Sequence, residues 1–523
     1  MSGSADFRIG IDVGGTNTDA VVLDRDNNLL AKHKTATTAD LTSGIASAME
    51  SVLGKLGADA HRVTHVMLGT THATNAILER RDLFKVAVVR VGAPATTSIP
   101  PLMDWPGDLK EVVSVGEVVI GGGSEISGDP LAAFDGPALR EFLQSVLGKA
   151  EAVAITSVFS PVNADHELAA QAVVREVLGE EIPISTSRGI GALGLLEREN
   201  ACVLNAALIG VARKVVAGLN DALERNNVSA VSFLTQNDGT LMGLDYVLRF
   251  PVLTIGSGPA NSMRGAGYLT GMTDGVVIDV GGTSSDIGVL VNGFPRESST
   301  AVDVGGVRTN FRMPDLVSIA VGGGTRIREG EGEGGIRVGP DSVGYRLPHE
   351  ALVFGGRTRT LSDAAVSLGR MRIGDAAALQ GHEEVLGAAL AAADELVWDA
   401  VDQMKPSRTL LPVVAVGGGS LILPPTLPGF DEVIWPDNYD VANAIGAAIA
   451  SVSGQIDRVY KLGARTREEV LAEATSAAND EAVSAGADPN EVEIVELEEV
   501  PMAYLSEPVV RIRVKAAGPL GRI

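Results

Sequence analysis

Short apolar runs alternate with longer segments of helical periodicity over the first 185 residues. The runs are rich in Val, Ile and Leu and have the length of strands, whereas the longer segments repeat apolar residues three and four positions apart. Strands that alternate with crossover helices are typical of an α/β layer. The predicted strands are Phe7–Val13, Ala20–Leu23, Leu29–Lys34, Val63–Leu68, Lys85–Val91, Ala152–Phe159 and Ile182–Ser185, and the predicted helices are Leu41–Leu56, Ala73–Arg80, Gly136–Leu147 and Asp165–Leu178.

The same alternation continues beyond residue 185, with Gly-rich stretches between the elements. The stretch from 96 to 128, which is rich in Pro and Gly, and the acidic Gly run from 326 to 335 are predicted to be loops. The further predicted helices are Leu195–Asn226 and Asn443–Ser453, and the further predicted strands are Ala230–Thr235, Gly275–Val280, Ile287–Val291 and Pro412–Val416.

Residues 456–523 carry a different pattern. Thr466 and Glu469 have the spacing of a capping box, which predicts a helix that begins there and ends at Gly486. Two alternating runs follow, the first with acidic residues at 491–500 and the second with basic residues at 509–515. We expect an antiparallel pair with opposite charges across it, within a small C-terminal α+β domain.

A nine-residue segment occurs twice in the chain. Residues 11–19 read IDVGGTNTD and residues 278–286 read IDVGGTSSD, so seven of the nine positions are identical. Each copy connects two predicted strands, and each therefore predicts a hairpin with a Gly-Gly-Thr turn. Chance is a poor explanation for two such copies.

Two such turns that face one another would form a clamp for phosphate groups, because backbone N–H groups in glycine turns can point at anionic oxygen. Asp12 and Asp279 end the first strand of each hairpin and could hold hydrated Mg²⁺, which prefers carboxylate, water and phosphate oxygen. Asp19 and Asp286 could tether their own turns or act in catalysis. The alternative is that each turn is only a tight hairpin.

A third glycine cluster follows the predicted strand Pro412–Val416. At Gly417, Gly418 and Gly419 a flat adenine or ribose could lie against bare backbone, although tight packing would also require glycine.

Composition and charge narrow the class of protein. The 523 residues include 62 glycines and carry a net charge of −24, which disfavours binding to nucleic acid or to an anionic membrane. Cys202 is the single cysteine, so no internal disulfide can form, and we expect a cytoplasmic protein. The sequence has no stretch of about 18 uninterrupted apolar residues, and we expect no membrane association.

The paired hairpins and the third glycine cluster together resemble the acetate kinase, sugar kinase, Hsp70 and actin superfamily. The resemblance implies a two-lobed, actin-like α/β ATPase with duplicated RNase H-like halves and ATP between them, in addition to the small C-terminal α+β domain. We expect an N-terminal domain at 1–195, an ATPase domain at 196–455 and the C-terminal domain at 456–523.

A narrower resemblance covers about residues 7–454. The chain is similar to the hydantoinase A and oxoprolinase family, which implies ATP-dependent hydrolysis of a cyclic amide through phosphorylation of its carbonyl. The family also implies an oligomer with a hydantoinase B-like subunit. An ATPase subunit of a ketone carboxylase, a small-molecule kinase and an ATP-gated interaction protein remain alternatives. The motifs of this resemblance are residues 14–19, 69–80, 196–200 with 204–206, 257–260 and 279–286.

The resemblance also implies roles for individual residues. ATP and Mg²⁺ are the expected cofactors, with Asp12, Asp279, Thr16 and Thr283 as the catalytic residues and the two aspartates as metal ligands. His72 and Asn75, near the start of a predicted helix, are candidates for contact with substrate. The expected nucleotide-binding residues are Gly14, Gly15, Asn17, Gly281, Gly282, Ser284, Gly417, Gly418 and Gly419.

Overall fold

The computed structural model describes residues 6–37, 41–190, 193–298, 301–330, 335–405, 410–430, 432–463, 465–502 and 508–521. The strands are β1 (Phe7–Val13), β2 (Asn17–Leu23), β3 (Leu29–Ala36), β4 (Val63–Thr70), β5 (Val86–Ala93), β6 (Ser114–Gly121), β7 (Ala152–Ser157), β8 (Ile184–Thr186), β9 (Val231–Thr235), β10 (Leu241–Gly243), β11 (Gly275–Val280), β12 (Ser285–Val291), β13 (Phe294–Pro295), β14 (Val302–Val304), β15 (Val307–Thr309), β16 (Leu316–Ile319), β17 (Thr325–Glu329), β18 (Ile336–Ser342), β19 (Val413–Val416), β20 (Val433–Ile434), β21 (Val452–Lys461), β22 (Glu493–Met502) and β23 (Val509–Gly518). The helices are α1 (Leu41–Leu56), α2 (His72–Glu79), α3 (Gly107–Val113), α4 (Gly136–Ser145), α5 (Asp165–Leu178), α6 (Leu195–Arg225), α7 (Leu244–Arg249), α8 (Ser257–Thr270), α9 (Leu347–Glu350), α10 (Leu361–Ser367), α11 (Glu383–Met404), α12 (Ala442–Ile449) and α13 (Arg467–Ser484).

Three sheets organise these elements. A nine-stranded sheet has the order β22-β23-β21-β10-β9-β4-β1-β2-β3 and contains the first predicted hairpin. A second sheet has the path β13-β12-β11-β19-β20, with β16 beside β12, and contains the second hairpin. A four-stranded parallel sheet, β6-β5-β7-β8, lies between β4 and β9 in the sequence.

Most of the predicted strands and helices are confirmed, and three segments differ. The stretch 96–128 is not only loop, because it contains α3 and β6. Strand β6 pairs with β5 at the edge of its sheet and is mostly half-buried. Its sequence therefore shows only a weak apolar pattern. Residues 326–329 belong to β17, which pairs with β18, whereas residues 331–334 of the predicted acidic loop lie outside the described residues.

The predicted helix over 443–453 is too long. Helix α12 ends at Ile449 and strand β21 begins at Val452, where it joins β10 and β23. A side chain at Gly454 would overlap with the backbone of Ala482 in α13, so this glycine permits close packing of the helix on the strand.

The C-terminal segment is confirmed as α+β, and its strands continue the nine-stranded sheet. The Thr466 side chain accepts the backbone N–H of Glu469, and the Glu469 side chain accepts that of Thr466, as in a capping box. β22 and β23 are antiparallel, and Glu498 lies opposite Arg513 with 3.0 Å between Oε2 and Nη1. The domain boundaries at 195 and 455 remain predictions.

Helix α6 is the one helix among the described residues that is long and apolar enough, by length and composition, to cross a membrane. In this fold, 83% of its most apolar window is buried, as is common for a core helix. Cys202 of this helix is buried, with its thiol near the carbonyl oxygens of Ile155 and Ser185.

Helices α8 and α12 pack against one another at very short range because glycines lie at their contact. A Cβ atom at Gly265 of α8 would overlap with the carbonyl oxygen of Ala442, and one at Gly446 of α12 would overlap with the carbonyl oxygen of Asn261. Gly10 of β1 meets α12 in the same way, at the carbonyl oxygen of Ala444. This contact brings two helices and the first hairpin together.

We expect Gly446→Ala to destabilise the protein by about 1–3 kcal/mol, because the added methyl group must displace the backbone of α8. The matched control is Gly387→Ala in α11, where a Cβ atom would meet nothing within 4 Å and the higher helix propensity of Ala should leave stability equal or increased. Urea unfolding of both variants measures the difference. Equal midpoints for the two variants would contradict the proposed tight contact.

Candidate functional site

The two hairpins have the same local geometry. In the first, Asp12 lies opposite Asp19, and the N–H of Gly14 donates to the carbonyl oxygen of Asn17 at 3.0 Å. In the second, Asp279 lies opposite Asp286, and the turn closes with the equivalent bond from Gly281 to Ser284 at 2.9 Å. The sequence repeat is therefore also a structural repeat.

The two turns face one another across a cleft, as predicted. A Cβ atom on Gly282 of the second turn would lie 3.2 Å from Cγ2 of Thr16 in the first. We call this space, of about 210 Å³, the hairpin cleft. Its predicted lining residues are Asp12, Gly14, Gly15, Thr16, Asn17, Asp279, Gly281, Gly282, Thr283, Ser284, Gly417 and Gly418.

Each of the two aspartates at the strand ends packs against a glycine that lies in the neighbouring parallel strand or directly after it. β4 runs parallel to β1 with Gly69 beside Asp12, and β19 runs parallel to β11 and leads into Gly417. A Cβ atom on Gly69 would overlap with Oδ1 of Asp12, and one on Gly417 would overlap with Oδ1 of Asp279. Gly417 is thus required for close approach to the carboxylate, and its φ of +88° also favours glycine.

Asp12 is held by two amide groups. Its Oδ1 accepts from Nδ2 of Asn261 at 3.1 Å, its Oδ2 accepts from Nδ2 of Asn443 at 3.0 Å, and its exposed fraction is 4%. Burial raises the pKa of Asp12 to about 7, and the charges of Asp19 and Asp279 act in the same direction. Burial therefore changes the pKa of Asp12 more than the two hydrogen bonds, which act in the opposite direction.

Asp279 has a different environment from its counterpart. Its Oδ2 accepts from the hydroxyl of Ser262 in α8 at 2.5 Å, and burial raises its pKa to about 6. Asp286 accepts from the hydroxyl of Ser318, and burial raises the pKa of Asp286 as well. The second hairpin therefore relies on hydroxyl donors where the first relies on amides.

Lys34 supplies a positive charge at the first hairpin. Its Nζ donates to both carboxylate oxygens of Asp19, at 2.7 and 2.9 Å, and to the carbonyl oxygen of Asp440 at 2.8 Å. Nδ2 of Asn443 also donates to Oδ2 of Asp19 at 3.0 Å, so one amide bridges Asp12 and Asp19. Burial nevertheless raises the pKa of Asp19, although Lys34 opposes that change. This role of Asp19 differs from a simple tether of its own turn.

Further glycines support the second turn from outside the cleft. The N–H groups of Gly323 and Gly324 donate to the carbonyl oxygens of Gly281 and Gly282 at 3.0 and 2.7 Å. Gly419 does not line the cleft, but its N–H donates to the carbonyl oxygen of Val280 at 2.8 Å. The third glycine cluster thus combines two lining residues with one structural residue.

The predicted substrate residues lie beside the hairpin cleft and do not line it. His72 begins α2, and its Nδ1 is 2.6 Å from the hydroxyl of Thr70; burial lowers the pKa of His72. Asn75 lies one turn further on, with Nδ2 3.4 Å from the hydroxyl of Thr71. Thr71 itself lines the cleft. Contact of His72 and Asn75 with substrate remains a prediction.

The donor set of the cleft fits a magnesium–nucleotide complex. Oxygen ligands suit Mg²⁺, and a Cβ atom on Gly15 would meet nothing within 4 Å, so its backbone borders open space. Among the described residues, no three His, Cys, Asp or Glu side chains converge as a metal site. Asp12 and Asp279 would therefore hold a cation together with water and phosphate oxygen, which is the usual arrangement for Mg²⁺.

Several lining residues were not predicted from the sequence. Lys34 was assigned only to a strand and Asn443 only to a helix, and no local signal indicates that either side chain turns towards an aspartate. The segment 257–260 does belong to the recognised motifs, and this could have indicated the start of α8 at the cleft. The lining residues without a predicted role are Lys34, Thr71, Gly258, Pro259, Ser262, Val280, Asp440 and Asn443.

Known proteins resemble this chain in sequence and in fold. Residues 8–178 match the family model for the hydantoinase/oxoprolinase N-terminal region, and residues 198–380 match the model for hydantoinase/oxoprolinase. Caprolactamase subunit alpha of Pseudomonas jessenii is 28% identical over 393 residues, which are 70% of this chain and 55% of that protein. Acetophenone carboxylase gamma subunit of Aromatoleum aromaticum is 25% identical, over 69% of this chain and 53% of that protein.

The crystal structure of ATP-dependent caprolactamase from Pseudomonas jessenii matches with a TM-score of 0.76 at 19% identity, and covers 98% of this chain and 88% of that chain. The fold is thereby confirmed as the two-lobed α/β fold of actin-like ATPases. The chain belongs to the hydantoinase/oxoprolinase family. It spans about half the length of the curated relatives that it matches.

We expect Asp279→Asn to stabilise the nucleotide-free protein by roughly 1–3 kcal/mol at pH 8, because it removes a half-buried charge that is poorly solvated. The folded pKa of about 6 exceeds the ordinary value of 3.8, so the wild-type protein loses stability as the pH rises through about 6. The advantage of the variant should therefore shrink towards pH 4.

Urea unfolding at pH 4.5 and pH 8 without Mg²⁺ measures this change. Asp26→Asn, at an exposed position between β2 and β3, serves as the control and should show the same small effect at both pH values. An equal advantage of Asp279→Asn at both pH values would contradict a raised pKa.

Proposed function

We propose that this chain is the ATP-dependent subunit of an enzyme that opens a cyclic amide, such as a hydantoin, 5-oxoproline or a related lactam. The observation that carries the proposal is the pair of equivalent hairpins that face one another across the hairpin cleft, each with an aspartate at a glycine turn, Asp12 buried and Asp279 half-buried. Membership of the hydantoinase/oxoprolinase family and the similarity to a caprolactamase subunit support the substrate class.

An unstrained amide is a poor electrophile, and phosphorylation by ATP would activate its carbonyl carbon for attack by water. In the proposed reaction the amide oxygen attacks the γ-phosphorus, and the bond from phosphorus to the oxygen of ADP breaks. Water then adds to the activated carbon, the ring C–N bond breaks, and an acyl phosphate remains. A second water molecule hydrolyses the acyl phosphate, so the products are the ring-opened amino acid, ADP and phosphate.

The residues of the cleft would act by positioning and by compensation of charge, which supply most of the catalysis in phosphoryl transfer. The turn backbones at 14–17 and 281–284 would hold opposite sides of the triphosphate, with the hydroxyls of Thr16 and Thr283 as further donors. Asp12 and Asp279 would hold Mg²⁺, which would neutralise charge on the phosphates. Lys34, now paired with Asp19, lies within the same cleft and adds positive charge.

The names of two relatives also support a partner subunit for this chain. Caprolactamase and acetophenone carboxylase are both named as having subunits, and this supports a hydantoinase B-like partner and an oligomer for the present chain. We further propose a cytoplasmic location, in agreement with the single buried cysteine.

A ketone carboxylase is the second candidate, because one relative is an acetophenone carboxylase subunit. In that case the chain would phosphorylate the enol of a ketone, and turnover would require bicarbonate. Both candidate reactions would use the same ATP site, and they differ in the group that is phosphorylated, an amide or the enol of a ketone.

The reaction is tested with the chain and a hydantoinase B-like partner expressed together. ADP release is measured with hydantoin, 5-oxoproline and caprolactam, and separately with acetone or acetophenone and bicarbonate. Release that depends on a cyclic amide, together with a ring-opened product, is expected. Release that depends only on ketone and bicarbonate would favour the second candidate, and release without either would contradict both.

Asp12→Ala and Asp279→Ala should each lower ATP turnover by at least about 100-fold, because the charges serve the magnesium–nucleotide complex. Circular dichroism should show a retained fold, since each change removes a carboxylate whose burial is unfavourable. Asp26→Ala is the control, with an exposed aspartate outside the cleft. Unchanged turnover in either cleft variant would contradict the clamp.

A further inference from the structure

A second cleft lies away from the hairpins, at the junction of β8, α7 and β21. It measures about 320 Å³ and shares no lining residue with the hairpin cleft. Four arginines, Arg188, Arg249, Arg312 and Arg458, line it together with the two carboxylates of Asp457 and Glu481, and we call it the arginine cleft. An excess of positive charge on one surface contrasts with the net charge of −24 of the chain.

Three of the four arginines have no carboxylate partner among the residues that the structure describes. No Asp or Glu oxygen in that part of the chain lies within ion-pair distance of Arg188, Arg249 or Arg458. Arg312 differs, because it pairs with Glu297 at 2.9 Å and with Glu496 at 3.0 Å. Desolvation lowers the pKa of Arg188, and the charge of Arg458 acts in the same direction, whereas the charges of Glu167 and Asp165 oppose the change.

A second cavity of mixed charge adjoins this cleft. Arg188 and Arg458 also line this cavity of about 530 Å³, together with Lys461 and Arg465 and with the carboxylates of Asp129, Asp165 and Glu473. Arg465 pairs with Glu473, whereas Arg188 and Arg458 stand between the two cavities. Arg188 is exposed and Arg458 is half-buried.

Aromatic side chains complete the arginine cleft. The guanidinium of Arg249 lies 5.0 Å from the ring centre of Phe250 and 5.8 Å from that of Tyr246, and Phe311 lies on the lining as well. One lining residue carries a buried donor without a hydrogen-bond partner, Nη2 of Arg312. Native proteins rarely leave such a group unsatisfied, and an anionic oxygen is a suitable acceptor for it.

We propose that the arginine cleft binds a small organic anion, with its carboxylate or phosphate group between Arg188 and Arg458 and its apolar body against Phe250. Arginine suits both groups, because its planar donors can form two parallel hydrogen bonds to carboxylate or phosphate. The net charge of −24 repels large polyanions at long range, so a small anion fits better than a nucleic acid or an acidic protein.

The test uses isothermal titration calorimetry of the full chain with benzoate and with phenyl phosphate as probes. Mg·ADP is present throughout, so that the hairpin cleft does not take up the phosphate probe. At least one probe should bind, and Arg188→Gln and Arg458→Gln should each weaken its affinity about tenfold or more. Binding of benzoate alone identifies a carboxylate site, and binding of phenyl phosphate alone identifies a phosphate site.

Arg140→Gln is the matched control, because Arg140 is exposed on α4 and pairs with Glu176 outside the cleft. Its affinity for the probe should stay within twofold of the wild type. The melting temperatures of Arg188→Gln and Arg458→Gln should be unchanged or higher, since each removes one of two like charges. No binding of either probe, equal affinity in the cleft variants, or an equal loss in the control would overturn the proposal.

Discussion

The close contact of α8 with α12 is the constraint on which the rest of the site depends. Glycines at 265 and 446 let the two helix backbones approach so closely that no side chain fits between them. Asn261 and Ser262 of α8 then reach the aspartates of different hairpins, while Asn443 of α12 bridges Asp12 and Asp19. A displacement of either helix would therefore disturb both hairpins at once, which explains why glycine lies at a contact where larger apolar residues would bury more surface.

The same geometry accumulates negative charge in one cleft. Five aspartates line it, and burial raises the pKa of four of them, Asp12, Asp19, Asp279 and Asp286, to about 7 for Asp12 and about 6 for Asp279. Buried carboxylates of this kind oppose folding at neutral pH unless a cation compensates them. Lys34 compensates Asp19 directly, whereas Asp12 and Asp279 depend on neutral amide and hydroxyl donors. The site is thus arranged to gain stability from a bound cation, and a chain with such an acidic surface would bind a nucleotide through backbone donors and Mg²⁺.

The sequence predicted those elements whose pattern is local or occurs twice in the chain. The strands of both hairpins, the long helix α6 and the capping box at Thr466 each depend on neighbouring residues, and all are confirmed. Strand β6 was missed because an edge strand needs little apolar surface, and the end of α12 was missed because small residues fit both a helix and a close-packed strand. The partners of the aspartates could not be predicted, since α8 and α12 meet the hairpins only through tertiary packing. Asn443, more than 400 residues from Asp12, has no local feature that distinguishes it from any other polar residue on a helix.

The two hairpins have the same backbone geometry, but different side chains support their aspartates. Each carboxylate oxygen of Asp12 already accepts one amide N–H, which leaves about two of its four lone-pair sites for another ligand. Asp279 accepts from a single hydroxyl, and its Oδ1 lies beside Gly417, where the backbone offers no bulk. A cation held by both aspartates would therefore find more unused acceptor capacity at Asp279, while Asp12 would also orient α8 and α12 around the first turn. Two hairpins with seven of nine residues in common can in this way differ in detail, because the helices that contact them carry different donors.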